Sequence, residues 1–314
     1  MSELAIKGQR LSQRCLASRV RFTWWSCRRA FTRHQAEFAA DQFAAEADMV
    51  SASKRLVPKD DEQYKALVAV RGEITTDWRM RTLPYVEPGM RLIAADRVER
   101  FANDMQSYRQ RLCDAAVAFN DTMPLRKEKM RSKLGGLYNE GDYPDVLVFD
   151  VAWDFPSTTP PDYLMQISPA LYEQQAALLK ARFEEAAVRA ESALAAEFAD
   201  VVAHLVEKLK PTPEGDKKVF RDSAVENLAS FCGRFKQLNI TDDHALASLI
   251  AQAEQAIQGA TAKDLRADAG LRQEVAASLD KVRDALGDMV TVQRRRQWKV
   301  AEKAQPETQA AGEA

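Results

Sequence analysis

The segment opened by Pro169 and closed by Pro211 limits most strongly what this chain can fold into. Within it Leu179, Phe183, Ala187, Ala190, Leu194, Phe198, Val201, Leu205 and Leu209 follow at gaps of 4, 4, 3, 4, 4, 3, 4 and 4. Eleven residues per three turns keeps one apolar stripe straight along a helix, so the pattern predicts one helix over 169–210, about 60 Å long. Its many alanines permit close approach by another helix. A helix of that length must bury its stripe against something of comparable length.

A second seam supplies the expected partner. Ala94, Val98, Phe101, Met105, Tyr108, Leu112, Ala115, Phe119 and Met123 recur at gaps of 4, 3, 4, 3, 4, 3, 4 and 4, close to the heptad of a coiled coil. Pro88 suits a first helical turn, so the spacing predicts a helix over 89–123. Pro124 interrupts it, and Leu125–Leu134 resumes briefly. Gly135-Gly136 and Asn139-Glu140-Gly141-Asp142-Tyr143-Pro144 then make a loop. In 146–155, Leu147, Phe149, Val151, Trp153 and Phe155 share one parity, which reads as a strand with one buried face. Pro156, Pro160 and Pro161 turn the chain, and Tyr163 to Ile167 reads as a return strand. The expectation is a mainly α fold: a long antiparallel helical hairpin with a small β-sheet element, followed by a C-terminal helical bundle.

Upstream, Val20, Phe22 and Trp24 alternate with Arg21 and Thr23, which predicts a strand within 18–28. Helices are expected over 33–50 and 59–82. Downstream, helices are expected over 217–238, 242–258 and 264–303. Thr241 is a candidate N-cap for the second, Thr261 with Asp264 a capping box for the third, and Gly259 a C-cap between them. The division expected is 1–17 a mobile basic tail, 18–86 a strand plus helices, 87–213 the hairpin with its β excursion at 146–167, 214–303 a helical segment, and 304–314 a disordered tail. A start codon placed too early is another reading of 1–15.

Charge and composition bound the function. Lys+Arg is 45 against Asp+Glu 46, which excludes a uniformly polyanion-binding protein but not a local basic patch. With Gly and Pro at 12 each, a turn-rich all-β fold is disfavoured. No long uncharged apolar run suggests a membrane span. Cys15, Cys27, Cys113 and Cys232 are scattered and read as thiols of a cytoplasmic protein. His34, His204 and His244 share no ligand spacing, so no metal or cofactor is expected. No nucleophile elbow, P-loop or dinucleotide motif occurs, so the chain reads as non-enzymatic with no catalytic residues.

Three features remain as candidates. Arg19, Arg21, Arg28, Arg29 and Arg33 are interleaved with Trp24 and Trp25, the residue mix that binds single-stranded nucleic acid by stacking and phosphate contact. A strand with its aromatics inward would explain the same residues. Tyr138, Asn139, Glu140, Asp142 and Tyr143 form the densest polar loop, a candidate interaction site; Glu140 and Asp142 could pair for acid–base work, although no third ligand stands at a fixed spacing. Arg294, Arg295, Arg296, Lys299 and Lys303 complement a helix C-terminus.

Several blocks together resemble a known family. They are Trp25-Ser26-Cys27-Arg28-Arg29, Ser53–Val57, Gly89–Ile93, Leu134-Gly135-Gly136-Leu137-Tyr138-Asn139-Glu140-Gly141-Asp142-Tyr143-Pro144, and Phe220–Leu228 through Leu238–Thr241. In that order, over about 20–290, the chain resembles a family of proteins from tailed phages, prophages and mobile elements. Cys27 stands where the family pattern has glycine, and 145–150 is shorter than the pattern. The resemblance implies a mobile-element origin in a bacterial host, carries no activity, and suggests a ring-forming ATPase as partner. Taken together, the expected role is a helical scaffold or adaptor, forming a homo-oligomer in the cytoplasm, with single-stranded nucleic-acid binding as the alternative.

Overall fold

The structure, a computed structural model, describes residues 2–210 and 222–304, with the backbone alone for residue 47 and for 291–304. The start of the expected 217–238 helix, Phe220 and Arg221 of the family-like block, the tail beyond 304 and the side chains of Arg294, Arg295, Arg296, Lys299 and Lys303 lie outside the described residues. Among the described residues the fold is mainly α, with a small antiparallel sheet. The chain divides into two compact units that are not contiguous in sequence. The first comprises Met1–Arg19, Arg79–Arg97 and Phe155–Ala314; the second comprises Val20–Trp78 and Val98–Asp154.

The first unit opens with α1 (Glu3–Arg14), where a mobile tail was expected. Ser2 caps it, its Oγ accepting the Ala5 N–H at 3.2 Å. Ala5, Gly8 and Leu11 form a buried stripe among the basic residues, and that stripe packs on α7 (Pro169–Leu209). Gly8 is needed for this approach, because a Cβ there would stand 2.9 Å from the Glu184 backbone nitrogen. The basic residues that suggested a loose tail are partly consumed: Lys7 reaches Glu191 at 2.9 Å and Arg10 reaches Asp242 at 3.1 Å.

Strand β1 (Cys15–Trp24) follows directly. Its first half pairs antiparallel with β5 (Met90–Ala94), from Cys15↔Ala94 to Arg19↔Met90, and β5 pairs with β4 (Leu83–Pro84). The helix expected over 89–123 therefore begins late. Gly89 sits at φ 77°, which breaks the backbone there, and pairing with β1 outweighs the helical spacing of Ala94 and Val98.

Residues 163–167 also differ from expectation. They form helix α6 (Asp162–Ile167) instead of a return strand, entered from Pro161 with Asp162 in the first turn. Then α7 begins at Pro169, with the Ser168 side chain as its cap. Phe183, Ala187, Ala190, Leu194, Phe198, Leu205 and Leu209 of the seam are buried. Its partners are α1, α8 (Ser223–Leu238) and α11 (Ala269–Ala304). Phe198 stacks on Phe231 of α8 with ring centroids 5.2 Å apart.

Between α8 and α11 lie α9 (His244–Ile257) and α10 (Ala262–Ala267). Asp243, not Thr241, caps α9 by accepting the Leu246 N–H at 3.0 Å. The Thr261–Asp264 capping box forms, but it starts the short α10. The expected 264–303 helix is interrupted at Asp268, whose Oδ1 accepts the N–H groups of Gly270 and Leu271 and so starts α11. Gly259 has the positive φ, 78°, of a helix-ending glycine.

In the second unit the far half of β1 neighbours β6 (Phe149–Asp154). A separate two-stranded ribbon joins β2 (Arg28–Ala30) to β3 (Ser53–Arg55). The helices are α2 (Arg33–Asp41), α3 (Glu62–Arg81), α4 (Val98–Asp121) and α5 (Met123–Leu134). The α3 helix ends in the segment assigned to the first unit. In α4 the seam residues Phe101, Met105, Leu112 and Phe119 are buried, and the helix packs on β6. The two long helices of the expected hairpin thus fall in different units. A seam at 3.5-residue spacing shows that a helix buries one stripe, and a strand can cover that stripe as well as another helix.

Candidate interaction site

The second unit packs an aromatic cluster around one ring, Phe119, and Trp25 is the residue singled out in the sequence that touches it. Trp25 lies 6.4 Å from it, Tyr64 6.0 Å and Phe149 5.4 Å, centroid to centroid. Edge and tilted contacts of this kind exceed simple area burial by about 0.5–1.5 kcal/mol each. On one face of Phe119 lies the Arg126 guanidinium, 3.7 Å from the centroid.

Arg126 is the residue that sequence reading missed. Its side chain is 2% exposed, yet each of its three nitrogens donates a hydrogen bond. Nε and Nη2 donate to Asp61 at 2.8 and 3.1 Å, Nη1 to the Phe119 carbonyl at 2.9 Å, and Nη2 to Thr122 Oγ1 at 3.0 Å. Asp61 in turn caps α3, accepting the Tyr64 N–H at 2.9 Å. Burial pushes the Asp61 carboxyl upward, but the bonds from Arg126 and the Tyr64 amide outweigh it and hold the group below its ordinary range. A usable signal existed: Arg126 stands on the buried stripe of α5 between Met123 and Met130. A cation on an apolar stripe implies a buried acid elsewhere.

The Arg/Trp-rich stretch is divided. Arg19 belongs to the first unit, paired in register with Met90. Arg21 approaches Asp154 at 3.4 Å. Trp24 meets Phe149 edge to face at 4.9 Å, and the Arg71 guanidinium covers its ring at 4.9 Å. Trp25 is buried between Phe119 and Tyr143. The aromatic faces that would stack bases are thus engaged within the protein. Arg33 pairs along α2 with Glu37 at 2.9 Å. Arg29 is 4.0 Å from Asp142, whereas Arg28 is exposed on β2.

The 138–143 loop is held from several sides. Tyr138 stacks on the buried Tyr143 at 5.4 Å. Glu140 accepts from Tyr138 Oη at 2.6 Å, from Lys127 at 2.9 Å and from Arg131 at 3.2 Å. Those bonds, the Tyr138 hydroxyl foremost, bring its carboxyl down to about 2. Asn139 closes an Asx turn by accepting the Gly141 N–H at 2.9 Å. Asp142 receives Lys54, buried at the loop's base, at 2.7 Å, and Lys54 also donates to the Leu137 carbonyl. Further on, Asn120 of α4 both donates to and accepts from the Leu147 backbone, at 3.0 and 3.2 Å.

Glu140 and Asp142 are therefore each committed to cations. A carboxylate held near pKa 2 is a poor proton shuttle at neutral pH. Among the described residues no group of three or more His, Cys, Asp or Glu side chains is arranged to hold a metal ion. Likewise, no described helix is long and apolar enough to cross a membrane. Among the described residues, Trp25 Nε1, Tyr143 Oη and Arg55 Nε are buried without a hydrogen-bond partner.

No family model matches the chain, and no curated protein or solved structure is significantly similar to it.

Proposed function

We propose that the chain is a non-enzymatic scaffold or adaptor that works by surface contact as a homo-oligomer. One observation carries this reading. Tyr163, Met165 and Ile167 of α6 and Leu171 and Leu178 of α7 are all exposed, with Ile167 at 74%. Single exposed apolar side chains are ordinary, but Tyr163 and Ile167 stand one turn apart on α6 and Leu171 and Leu178 two turns apart on α7, and such pairs make apolar surface that gains from being covered. The polar clusters of the second unit point the same way, since their charges are spent on internal pairs.

A second copy of the chain is the occupant we favour for the α6–α7 face. The resemblance to phage and mobile-element proteins supports a place in the cytoplasm of a bacterial host and a ring-forming ATPase as further partner.

Light scattering after size exclusion tests the proposal. The wild type should run as a discrete oligomer, and Ile167→Glu with Leu171→Glu should reduce it to the monomer mass of 35.2 kDa without loss of helicity. A wild type that is monomeric up to high micromolar concentration would refute the oligomer.

A further inference from the structure

The β2–β3 ribbon sets cations directly opposite one another twice. Its register is Arg28↔Arg55, Arg29↔Lys54 and Ala30↔Ser53. Residues directly opposite in an antiparallel pair share a face, and alternate pairs take opposite faces. Arg29 and Lys54 therefore lie on one face, Arg28 and Arg55 on the other. Like charges so placed repel, and an anion between them relieves the repulsion.

One face has that anion. Asp142 sits 2.7 Å from Lys54 and 4.0 Å from Arg29. The other face has none. Among the described residues no carboxylate lies within ion-pair distance of Arg28 or Arg55, and the acids nearest in sequence are engaged elsewhere. Asp61 is bound to Arg126, Asp60 lies 3.6 Å from Lys129, and Glu62 pairs with Lys65. Arg28 is exposed on the strand, while Arg55 is half-buried with its Nε shut off from water and lacking an acceptor. A buried guanidinium N–H without an acceptor is costly; because that Nε is closed to solvent, an incoming anion meets the terminal nitrogens of Arg55 together with those of Arg28.

We propose that Arg28 and Arg55 form an oxyanion site that binds a phosphoryl group. A doubly charged phosphoryl matches two guanidinium groups better than a single carboxylate does. Its oxygens accept paired N–H donors in the fork geometry that arginine offers. The exposed Arg28 provides entry and the half-buried Arg55 provides the fixed donor.

The test is titration calorimetry on the full chain at constant ionic strength, with inorganic pyrophosphate as probe. Wild type should bind saturably. Arg28→Gln, at an exposed position that folding does not depend on, should weaken binding about tenfold or more, the loss of a charge-assisted contact. Arg55→Lys keeps the charge but not the fork and should weaken it as well. Arg33→Gln, a neighbouring cation already paired with Glu37, should leave affinity unchanged. A parallel titration with a twelve-residue oligothymidylate, whose phosphodiesters carry one charge each, separates sources: binding of pyrophosphate alone assigns a free phosphorylated molecule, and equally tight Arg28-dependent binding of the oligonucleotide would overturn the preference for a doubly charged group. Absence of pyrophosphate binding, equal losses in Arg28→Gln and Arg33→Gln, or binding of hexaglutamate in place of pyrophosphate would each overturn the site.

Discussion

Replacing Asp61 by asparagine isolates the charge that neutralises Arg126. The isosteric amide keeps an oxygen to cap α3 at the Tyr64 N–H but leaves the guanidinium, 2% exposed, without its counter-ion. Breaking a buried pair from one side costs about 3–5 kcal/mol. The lower end applies, because Arg126 keeps the Phe119 carbonyl, the Thr122 hydroxyl and the Phe119 ring. Asp61→Ala loses the cap too, adding about 1 kcal/mol. The double variant Asp61→Asn/Arg126→Met should recover most of the loss, since an apolar side chain of similar length in place of a buried ion is often neutral. Urea denaturation followed by tryptophan fluorescence reads this directly, because Trp24, Trp25, Trp78 and Trp153 all lie in the second unit. The pair also sets an acid limit. The Asp61 carboxyl is depressed in the folded protein, so its stabilisation is complete above the unfolded value of about 3.9 and is lost as pH falls through the folded value. The gap between wild type and Asp61→Asn should therefore close in acid. A loss below about 1 kcal/mol at neutral pH, or a gap that widens in acid, would refute the account of Arg126 as a buried, paired ion.

Gly8→Ala should destabilise the first unit by about 1–3 kcal/mol, because the new Cβ meets the α7 backbone at Glu184; faster amide exchange confined to α1 is the expected signature. Glu140 should keep its three partners well into acid: its contribution is intact above the unfolded value of about 4.3 and fades only as pH falls through about 2, so a carboxyl NMR titration should find its midpoint there and Glu140→Gln should abolish it. Of the four thiols, exposed Cys113 should react first with a disulfide reagent, whereas burial raises Cys15 to about 12 and Cys232 to about 11, so both should stay inert until the protein unfolds.

Legibility in the sequence followed the range of the interaction that decides each element. The α7 helix could be read because its apolar stripe and its bounding prolines are local. The same holds for β6, whose parity at Phe149 and Val151 is buried as alternation predicts. By contrast, β5 could not be read, because its conformation is decided by pairing with β1, about 75 residues away in sequence. A short helix at α1 was hidden by arginines that draw the eye, although Ala5, Gly8 and Leu11 carry the packing. Around Phe119 the aromatic residues were visible but their use was not: an alternating Arg/Trp pattern is the same whether the rings face bases or a core. Arg126 and Asp61 lie 65 positions apart, so only the oddity of a cation between two buried methionines could have hinted at their union.

The chain passes from one unit to the other at 19/20, 78/79, 97/98 and 154/155. Vectorial synthesis therefore imposes an order. Everything the second unit requires has left the ribosome once Asp154 emerges, whereas α1 must wait for α7, which begins only at Pro169, before its buried face finds cover. During that interval the apolar stripe of α1, at Ala5, Gly8 and Leu11, has no native partner.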